Sequence, residues 1–379
     1  MKPLPPGSTI GMLGGGQLGR MSILAGRRLG YRFGVLEPKA SSAAGRVADF
    51  QVAAAYDDAE ALRAFAGRVD RATLEFENVP ARTLGILGES LEVHPGRKAL
   101  ETCQNRAREK AFLRAAGLPC APFAVVHSLA ELEQAAQLVG LPAVLKTADS
   151  GYDGKGQTRI DPGTDLGPVW APYAGRAAVL EQWIQFEGEY SVICGRGADG
   201  GACVYPLFRN THRDHILHTS VSPAGLDGRL EREAREIALA VADGLGLVGL
   251  AAVELFLTGS GWLVNELAPR PHNSGHLTLD AHATSQFEQH IRLVCGLAPG
   301  AAAQHTPACM LNILGDAWHA GEPDWAALLR DPLCKLHLYD KGEPLPGRKM
   351  GHATFLGADP DECLARALAC DRRLRGNRP

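Results

Sequence analysis

The chain has 379 residues, more than one hydrophobic core usually serves, and suits two or three domains. Lys plus Arg number 39 against 42 Asp plus Glu, so a net charge of −3 gives no field that would draw nucleic acid or an acidic membrane surface. Small anionic partners stay open through local patches. Glycine is abundant at 44 residues, but with 45% hydrophobic content this means many tight turns or phosphate-approach loops in a folded chain rather than disorder. Nine cysteines form no C-x-x-C pair and are odd in number, which suits a reduced, cytoplasmic compartment. The segment MKPLPPGS lacks an apolar signal core, and no run reaches the roughly 18 apolar residues of a membrane span.

Residues 8–20, STIGMLGGGQLGR, read as a strand entering Gly14, Gly16 and Gly19 at the spacing G-x-G-x-x-G, followed by a helix over 17–29. FGVLEP supplies Glu37 where a dinucleotide site keeps an acid after its second strand. The same turn serves many open parallel sheets that hold no dinucleotide. It therefore reads better as a Rossmann-like strand–helix turn whose Gln17 and Leu18 face another ligand. A helix at 57–67 precedes RATLEFENVP, a predicted strand with Glu75 and Glu77 on one face and Phe76 on the other. These acids either meet a ligand at the strand's C-terminal end or face solvent on an edge. SLEVHPG (90–96) reads as a last strand, and 97–119 as a helix-rich link on which Arg106 alone would be a solvated charge.

After Pro122 come a strand, a helix (128–140) and AVLKTADSGYDGKGQ (143–157). Lys146 puts a positive charge at a strand end, and Gly151, Gly154 and Gly156 let backbone N–H groups turn toward an anion. No Gly-Lys is followed by Ser or Thr and no helix follows at once, so this is not a Walker A loop. It reads as a strand–turn–strand covering phosphates from above, or equally as a glycine-rich hairpin with a stray lysine. In AAVLEQWIQFEGEY, Glu181 and Gln182 followed by apolar Trp183 and Ile184 suit an adenine, with Glu189 five residues on; the alternative is ordinary core and a surface acid. RNTHRDHILHTSVS (209–222) gathers His212, Arg213, His215 and His218. No cysteine or carboxylate set completes a tetrahedral zinc site there, so a basic loop beside a phosphate site is preferred.

A helix at 227–246 leads to LAAVELFLTGSGWLVNELAPRPHNSGH, two strands joined at TGSG with Glu254 on the first and Glu266 on the second. A charge inside an apolar strand is costly unless paired or bound to a metal. Facing each other across the hairpin, the acids repel unless a divalent cation lies between them, and oxygen ligands near phosphates mean magnesium. The competing reading is ion pairs to Arg270 and another base. Arg270, His272, Asn273, Ser274 and His276 then crowd a loop pinned by two prolines. Beyond residue 300, ACMLNILGD and CKLHLYDK are short strands. Lys341, Arg348 and Lys349 form a second phosphate seat or a solvated basic edge.

Taken in order, the Lys146 strand, the glycine lid, EQWI and the paired-glutamate hairpin resemble the ATP-grasp fold. GGGQLGR, LEFENVP, KTADSGYDGKGQ, RNTHRDHILHTS, VNELAPRPHNSGH and YDKGEPLPGRKMGH resemble the 5-(carboxyamino)imidazole ribonucleotide synthetase family of purine biosynthesis, over nearly the whole chain. The resemblance implies an α/β chain (α+β overall): a Rossmann-like open parallel sheet domain at 1–108, an ATP-grasp domain with a glycine-rich lid at 109–299, and a small β-rich C-terminal domain at 300–379. It implies ATP on Arg106, Lys146, Gly151, Tyr152, Asp153, Gly154, Lys155, Gly156, Gln157, Glu181, Gln182, Trp183, Ile184, Glu189, His212, Asn265 and Glu266. Mg2+ would sit on Glu254 and Glu266. Aminoimidazole ribonucleotide would meet Gln17, Leu18, Glu75, Tyr152, Asp153, Arg270, His272 and Asn273, with its phosphate on Lys341, Arg348 and Lys349. Tyr152, Asp153, Lys155, Arg270 and His272 would carry the catalytic roles.

The implied reaction joins bicarbonate to the ribonucleotide amine through carboxyphosphate, releasing ADP and phosphate from a cytoplasmic ligase that works as a homodimer. Its implied partners are small molecules, with no nucleic acid and no membrane. The nearest rival is a formate-dependent glycinamide ribonucleotide transformylase-like enzyme, against which Gln17 and the NSGH of 273–276 speak. A Rossmann oxidoreductase would leave Lys146, the lid and the glutamate hairpin without work, and the intact set of phosphate and metal groups argues against a non-catalytic nucleotide sensor.

Overall fold

The computed structural model describes residues 1–149 and 156–376. Its first layer is a parallel sheet of β1 (Thr9–Leu13), β2 (Arg32–Glu37), β3 (Phe50–Ala53), β4 (Arg71–Leu74) and β5 (Val93–His94), in spatial order β3-β2-β1-β4-β5. Ile10, Met12 and Leu13 are all fully buried, as expected of a central parallel strand covered on both faces. The connections carry α1 (Gln17–Arg28), α2 (Ala59–Ala66), α3 (Ala81–Leu87) and α4 (Arg97–Cys103). Strand order reverses between β1 and β4, and such a switch point opens a crevice beyond the strands' carboxyl ends.

β4 corrects the sequence reading. It ends at Leu74, because β5 pairs only with Ala72 and Thr73, and Glu75 and Glu77 lie in the turn beyond rather than on a strand face. Both acids thereby line the cleft at the switch point.

α5 (Arg106–Ala115) leads out of this layer, with the Asn105 side chain accepting from the Arg108 amide at 3.0 Å as its N-cap. An antiparallel sheet follows, β6 (Phe123–Val126), β7 (Ala143–Thr147), β8 (Gln157–Ile160) and β9 (Ala178–Gln182), in the order β6-β9-β7-β8. α6 (Leu129–Val139) and α7 (Leu166–Trp170) cover one of its faces. Leu132, Ala135 and Val139 from α6 pack on Leu145, Ile160 and Leu180.

The third sheet is antiparallel and runs β15-β14-β10-β12-β13-β16-β18-β17, with β11 beside β10. Its strands are β10 (Gly188–Arg196), β11 (Ala202–Val204), β12 (Phe208–Arg213), β13 (Ile216–Ser222), β14 (Gly249–Thr258), β15 (Gly261–Ala268), β16 (Ala308–Leu314), β17 (Cys334–Leu338) and β18 (Lys349–Leu356). β16 pairs with β13 from Thr219↔Leu311 to Ser222↔Ala308, so the strands beyond residue 300 continue the central sheet.

α8 (Gly228–Leu245) packs Ala234, Ala238, Val241 and Leu245 against β10 and β14. Its start is set by Asp227, which accepts from two first-turn amides, and its end by Gly246 in the left-handed region at φ 61°. α9 (Thr278–Ala281), α10 (Gln286–Val294), α11 (Trp325–Leu328) and α12 (Pro360–Leu374) complete the chain. Among the described residues, no helix is long and apolar enough to cross a membrane.

Candidate active site

A cleft of about 630 Å³ takes residues from the two antiparallel sheets and from the turns and helices at the edge of the parallel one. On one wall, Glu181 at the end of β9 offers a single carboxylate oxygen to two lysines, Lys110 Nζ and Lys146 Nζ, each at 3.2 Å. Burial alone would raise Glu181, but Lys110, Lys146 and Arg106 together hold it below the usual carboxylate range. Its other oxygen is buried without a hydrogen-bond partner among the described residues. Burial lowers Lys146 against the pull of Glu181. Gln182, Trp183 and Ile184 continue this wall, together with Val144, Phe186, Phe256 and Leu263. Phe186 stacks on Phe256 at 4.6 Å with an interplanar angle of 4°. Trp183 keeps 39% and Phe186 42% of its surface exposed, so a flat apolar slot stands open beside the lysine-clamped acid.

Across the cleft the glutamate hairpin has the predicted register, with Glu254 opposite Glu266. The next pair is Leu255↔Val264, so Asn265 is the extra residue of a β-bulge. The competing ion-pair reading is met in an unforeseen form, since the bases are His272 and Arg106 rather than Arg270. His272 Nε2 lies 3.1 Å from Glu254 Oε1, and Arg106 Nη1 lies 3.8 Å from Glu266 Oε2. Arg270 instead forks onto Glu77, with Nη2 donating to Oε1 at 2.9 Å and Nε donating to Oε2.

These partners split the two acids. Burial pushes Glu254 up, but the hydrogen bond and charge of His272, with His212 and Lys349, bring it down to about 2. Burial and the adjacent Glu254 raise Glu266, only partly opposed by Arg106. Glu189 pairs with His212 Nδ1 at 2.6 Å, and this hydrogen bond raises the imidazole despite its burial. Among the described residues, no group of three or more His, Cys, Asp or Glu is gathered so as to hold a metal ion by itself. Two facing carboxylates on one wall fit a hard cation that would take its remaining ligands from phosphate and water, which is the habit of magnesium.

The third wall is the Rossmann-like turn. Glu75 accepts from the Gly16 amide and, at 2.8 Å, from the Gly19 amide, while the Gly15 amide donates to Glu37 at 3.0 Å. The amides that would cradle a pyrophosphate are thus filled by the chain's own carboxylates. A Cβ on Gly16 would land 2.6 Å from Glu75 Oε1, so glycine there is what lets the acid reach the helix N-terminus. Burial raises Glu75 against these amides and Lys341. Gln17, Leu18, Arg270, His272 and Asn273 line the same end of the cleft, and both polar atoms of the Asn273 side chain are buried without a partner among the described residues.

The predicted basic seat divides. Lys349 lines the cleft; Lys341 and Arg348 are not among its lining residues. Burial lowers Lys341 to about 8, opposed by Glu75 and reinforced by Arg348, Lys349 and Lys39. Arg348 Nη1 donates to the Glu343 carbonyl at 2.8 Å.

Arg106, Gly156, Gln157, Glu189, His212, Asn265 and Glu266 also line the cleft. Gly151, Tyr152, Asp153, Gly154 and Lys155 lie outside the described residues. The stretch at 209–222 is corrected from a basic loop to the β12–β13 hairpin, turned by Asp214 (φ 52°) and His215 (φ 64°). His212 and His215 face the cleft. Arg213 and His218 are pulled the other way, onto Asp371 of α12 at 2.8 and 3.1 Å.

Sequence reasoning missed Glu109 and Lys110 of α5, which are 2% and 0% exposed, and the stacked Phe186 and Phe256. The available signal was helical spacing: three and four residues after Arg106, Glu109 and Lys110 share its face.

Three family models match successive parts of the chain: a ribonucleotide synthetase preATP-grasp domain at 7–104, an ATP-grasp domain at 111–287, and a phosphoribosylaminoimidazole carboxylase C-terminal domain at 308–366. The chain is 44% identical to the N5-carboxyaminoimidazole ribonucleotide synthase of Bacillus subtilis, over 95% of this chain and 94% of that one. It is 42% identical over 93% of its length to a bifunctional purine synthesis protein of Dictyostelium discoideum, of which it spans 37%. An ADP complex of an N5-carboxyaminoimidazole ribonucleotide synthetase superimposes with a TM-score of 0.93 at 40% identity, covering 98% of this chain and 99% of the other. The Aspergillus clavatus enzyme, in complex with ADP and 5-aminoimidazole ribonucleotide, gives 0.89 at 29% identity, covering 97% and 98%. The paired-glutamate hairpin, the lysine-clamped acid beside an open aromatic slot and these full-length likenesses lead to one conclusion: the chain belongs to the N5-carboxyaminoimidazole ribonucleotide synthase family of ATP-grasp ligases.

Proposed function

We propose that the chain catalyses ATP-dependent carboxylation of 5-aminoimidazole ribonucleotide by bicarbonate. The observation that carries this reading is a single cleft in which the Glu181 slot and the Glu254–Glu266 pair face the carboxylate-filled turn of Gln17 and Glu75. Nucleotide and acceptor can therefore lie end to end. The adenine enters the slot between Trp183, Ile184 and Phe256, and Lys146 and Arg106 extend positive charge toward the phosphates. Glu254 and Glu266 would hold magnesium, which when bound neutralises phosphate charge.

A bicarbonate oxygen attacks the γ-phosphorus, the bond to the β-phosphate oxygen breaks, and ADP leaves. The acceptor amine then attacks the carboxyl carbon, directly or as released carbon dioxide, with loss of phosphate and one proton. No side-chain nucleophile is required, because holding the reactants in line supplies most of the rate. Arg270, fixed by Glu77, and His272, fixed by Glu254, are assigned to the transferred group, with Asn273 offering its unpartnered amide to the acceptor. Lys341, whose charge interacts with Glu75, is assigned with Arg348 and Lys349 to the acceptor phosphate. Tyr152, Asp153 and Lys155 are assigned to a lid that keeps water from the labile carboxyphosphate.

The division at 1–108, 109–299 and 300–379 is carried as part of this reading. The cytoplasmic assignment is supported by nine unpaired cysteines, and a homodimer by exposed Leu333, Leu338 and Leu345 on and beside the edge strand β17. The test is ADP release with magnesium-ATP, comparing aminoimidazole ribonucleotide plus bicarbonate against glycinamide ribonucleotide plus formate. Release with the first pair alone is expected; release with only the second reassigns the acceptor wall.

A further inference from the structure

β15 is an outer strand of the central sheet, and among the described residues its free edge is covered by the main chain at Pro119–Cys120 and by side chains of α5. The Val264 amide donates to the Pro119 carbonyl at 2.7 Å. Lys110 Nζ donates to the Asn265 carbonyl at 3.0 Å, and the Leu267 amide donates to Glu109 Oε2 at 2.9 Å. These contacts bracket the bulge that carries Asn265 and Glu266. Lys110 also reaches Glu181 Oε2 at 3.2 Å, on the other wall of the cleft, and is fully buried. The start of α5 touches a third element, since the Arg106 amide donates to the Ala148 carbonyl at 2.8 Å and Asn105 Nδ2 donates to Asp149 at 2.7 Å.

We propose that Lys110 is a positioning residue that ties the nucleotide slot to the metal-carboxylate bulge, by holding Glu181 and the Asn265 carbonyl with one ammonium group. The inference rests on the nucleotide reading of the cleft and adds to it a physical link between its two halves. A ligand that fixes Glu181 fixes Lys110, and through it the main chain beside Glu266. Glu109 pins the other side of the bulge, so the carboxylate pair cannot slide along the strand.

A buried lysine serving only as packing predicts something different. Its replacement by an apolar side chain of similar length would leave function alone and cost only stability, because the buried Glu181 loses one of its two lysines and keeps Lys146. The experiment is calorimetric titration of ADP into the full chain with magnesium and with EDTA, together with steady-state kinetics, for the parent and Lys110→Met. The parent is expected to bind ADP at least about tenfold more tightly with magnesium, and Lys110→Met to lose most of that ratio. Its kcat should fall roughly 100-fold, with KM for ATP held within about threefold.

If Lys110→Met is not recovered folded, Lys110→Gln carries the test, since its amide can still donate to the Asn265 carbonyl and should show the same changes at smaller size. A folded variant that keeps both the magnesium ratio and kcat within about twofold of the parent overturns the proposal. So does failure of both variants to fold, which would make the role structural. A parent chain that binds no magnesium-ADP overturns the nucleotide reading instead.

Discussion

Glu254 and Glu266 share one position across a hairpin but keep different company, His272 on one and Arg106 on the other. The first is ionised throughout the physiological range, while burial and the neighbouring Glu254 raise the second. Glu266→Gln keeps the shape and removes the charge. ADP formation should fall roughly 100-fold or more with an unchanged circular dichroism spectrum; retained turnover at ordinary magnesium would remove Glu266 from the metal site. Lys341 gives a pH signature. Its amine is lowered to about 8, so it is charged below that pH and loses the charge as pH rises through it. For an anionic acceptor, kcat/KM should decline above about pH 8, approaching tenfold per pH unit. Lys341→Arg should carry the plateau to higher pH, and a limb that stays put in that variant would clear Lys341 of the role.

At the scale of elements, α12 is fastened to the β12–β13 hairpin through one acid. Asp371 takes His218 at 3.1 Å, Arg213 at 2.8 Å and Arg375 at 2.9 Å. Burial alone would raise Asp371, but these three donors hold it far below the usual range. Arg213 and Arg375 keep 43% and 34% of their side chains exposed, so solvent screens part of the cluster, and Asp371→Asn should cost about 1–2 kcal/mol in urea unfolding. Because the folded carboxyl is depressed, this stabilisation is complete above about pH 4 and fades only as pH falls below it. The difference between parent and variant should therefore be flat from neutral pH to that point; a difference that already shrinks by pH 6 would clear the Asp371 carboxyl of this role.

The same elements show what a sequence can disclose. The β14–β15 hairpin was legible because TGSG sits between two apolar strands, and α8 because Asp227 and Gly246 bound an amphipathic run. The end of β4 was not, since it depends on how short its partner β5 is. Nor was Lys110: a lysine on a charged helix looks solvated until residues about 70 and 155 positions away, Glu181 and Asn265, close over it. Arg213 and His218 look basic in sequence, and only the fold reveals the acid that claims them.

For the whole molecule, the cleft has walls from the two antiparallel sheets and from the turns beyond the parallel one, so a ligand that spans it braces all three layers. Magnesium-ADP at about 100 times its dissociation constant should stabilise the folded chain by about 2.7 kcal/mol. The check is a thermal melt with and without nucleotide and EDTA; a transition that nucleotide leaves unmoved would mean the walls unfold independently of it.

The continuity of the central sheet reaches beyond catalysis. β13 has β12 on one side and β16 on the other, so the last fifth of the chain covers main-chain groups of Thr219–Ser222 that would otherwise face outward. Cutting the chain after residue 299 would strip that cover and leave a sticky border inviting strand exchange between copies. The closing strands thus act as a seal against polymerisation, and a shortened chain would be lost to aggregation before its chemistry could be assayed.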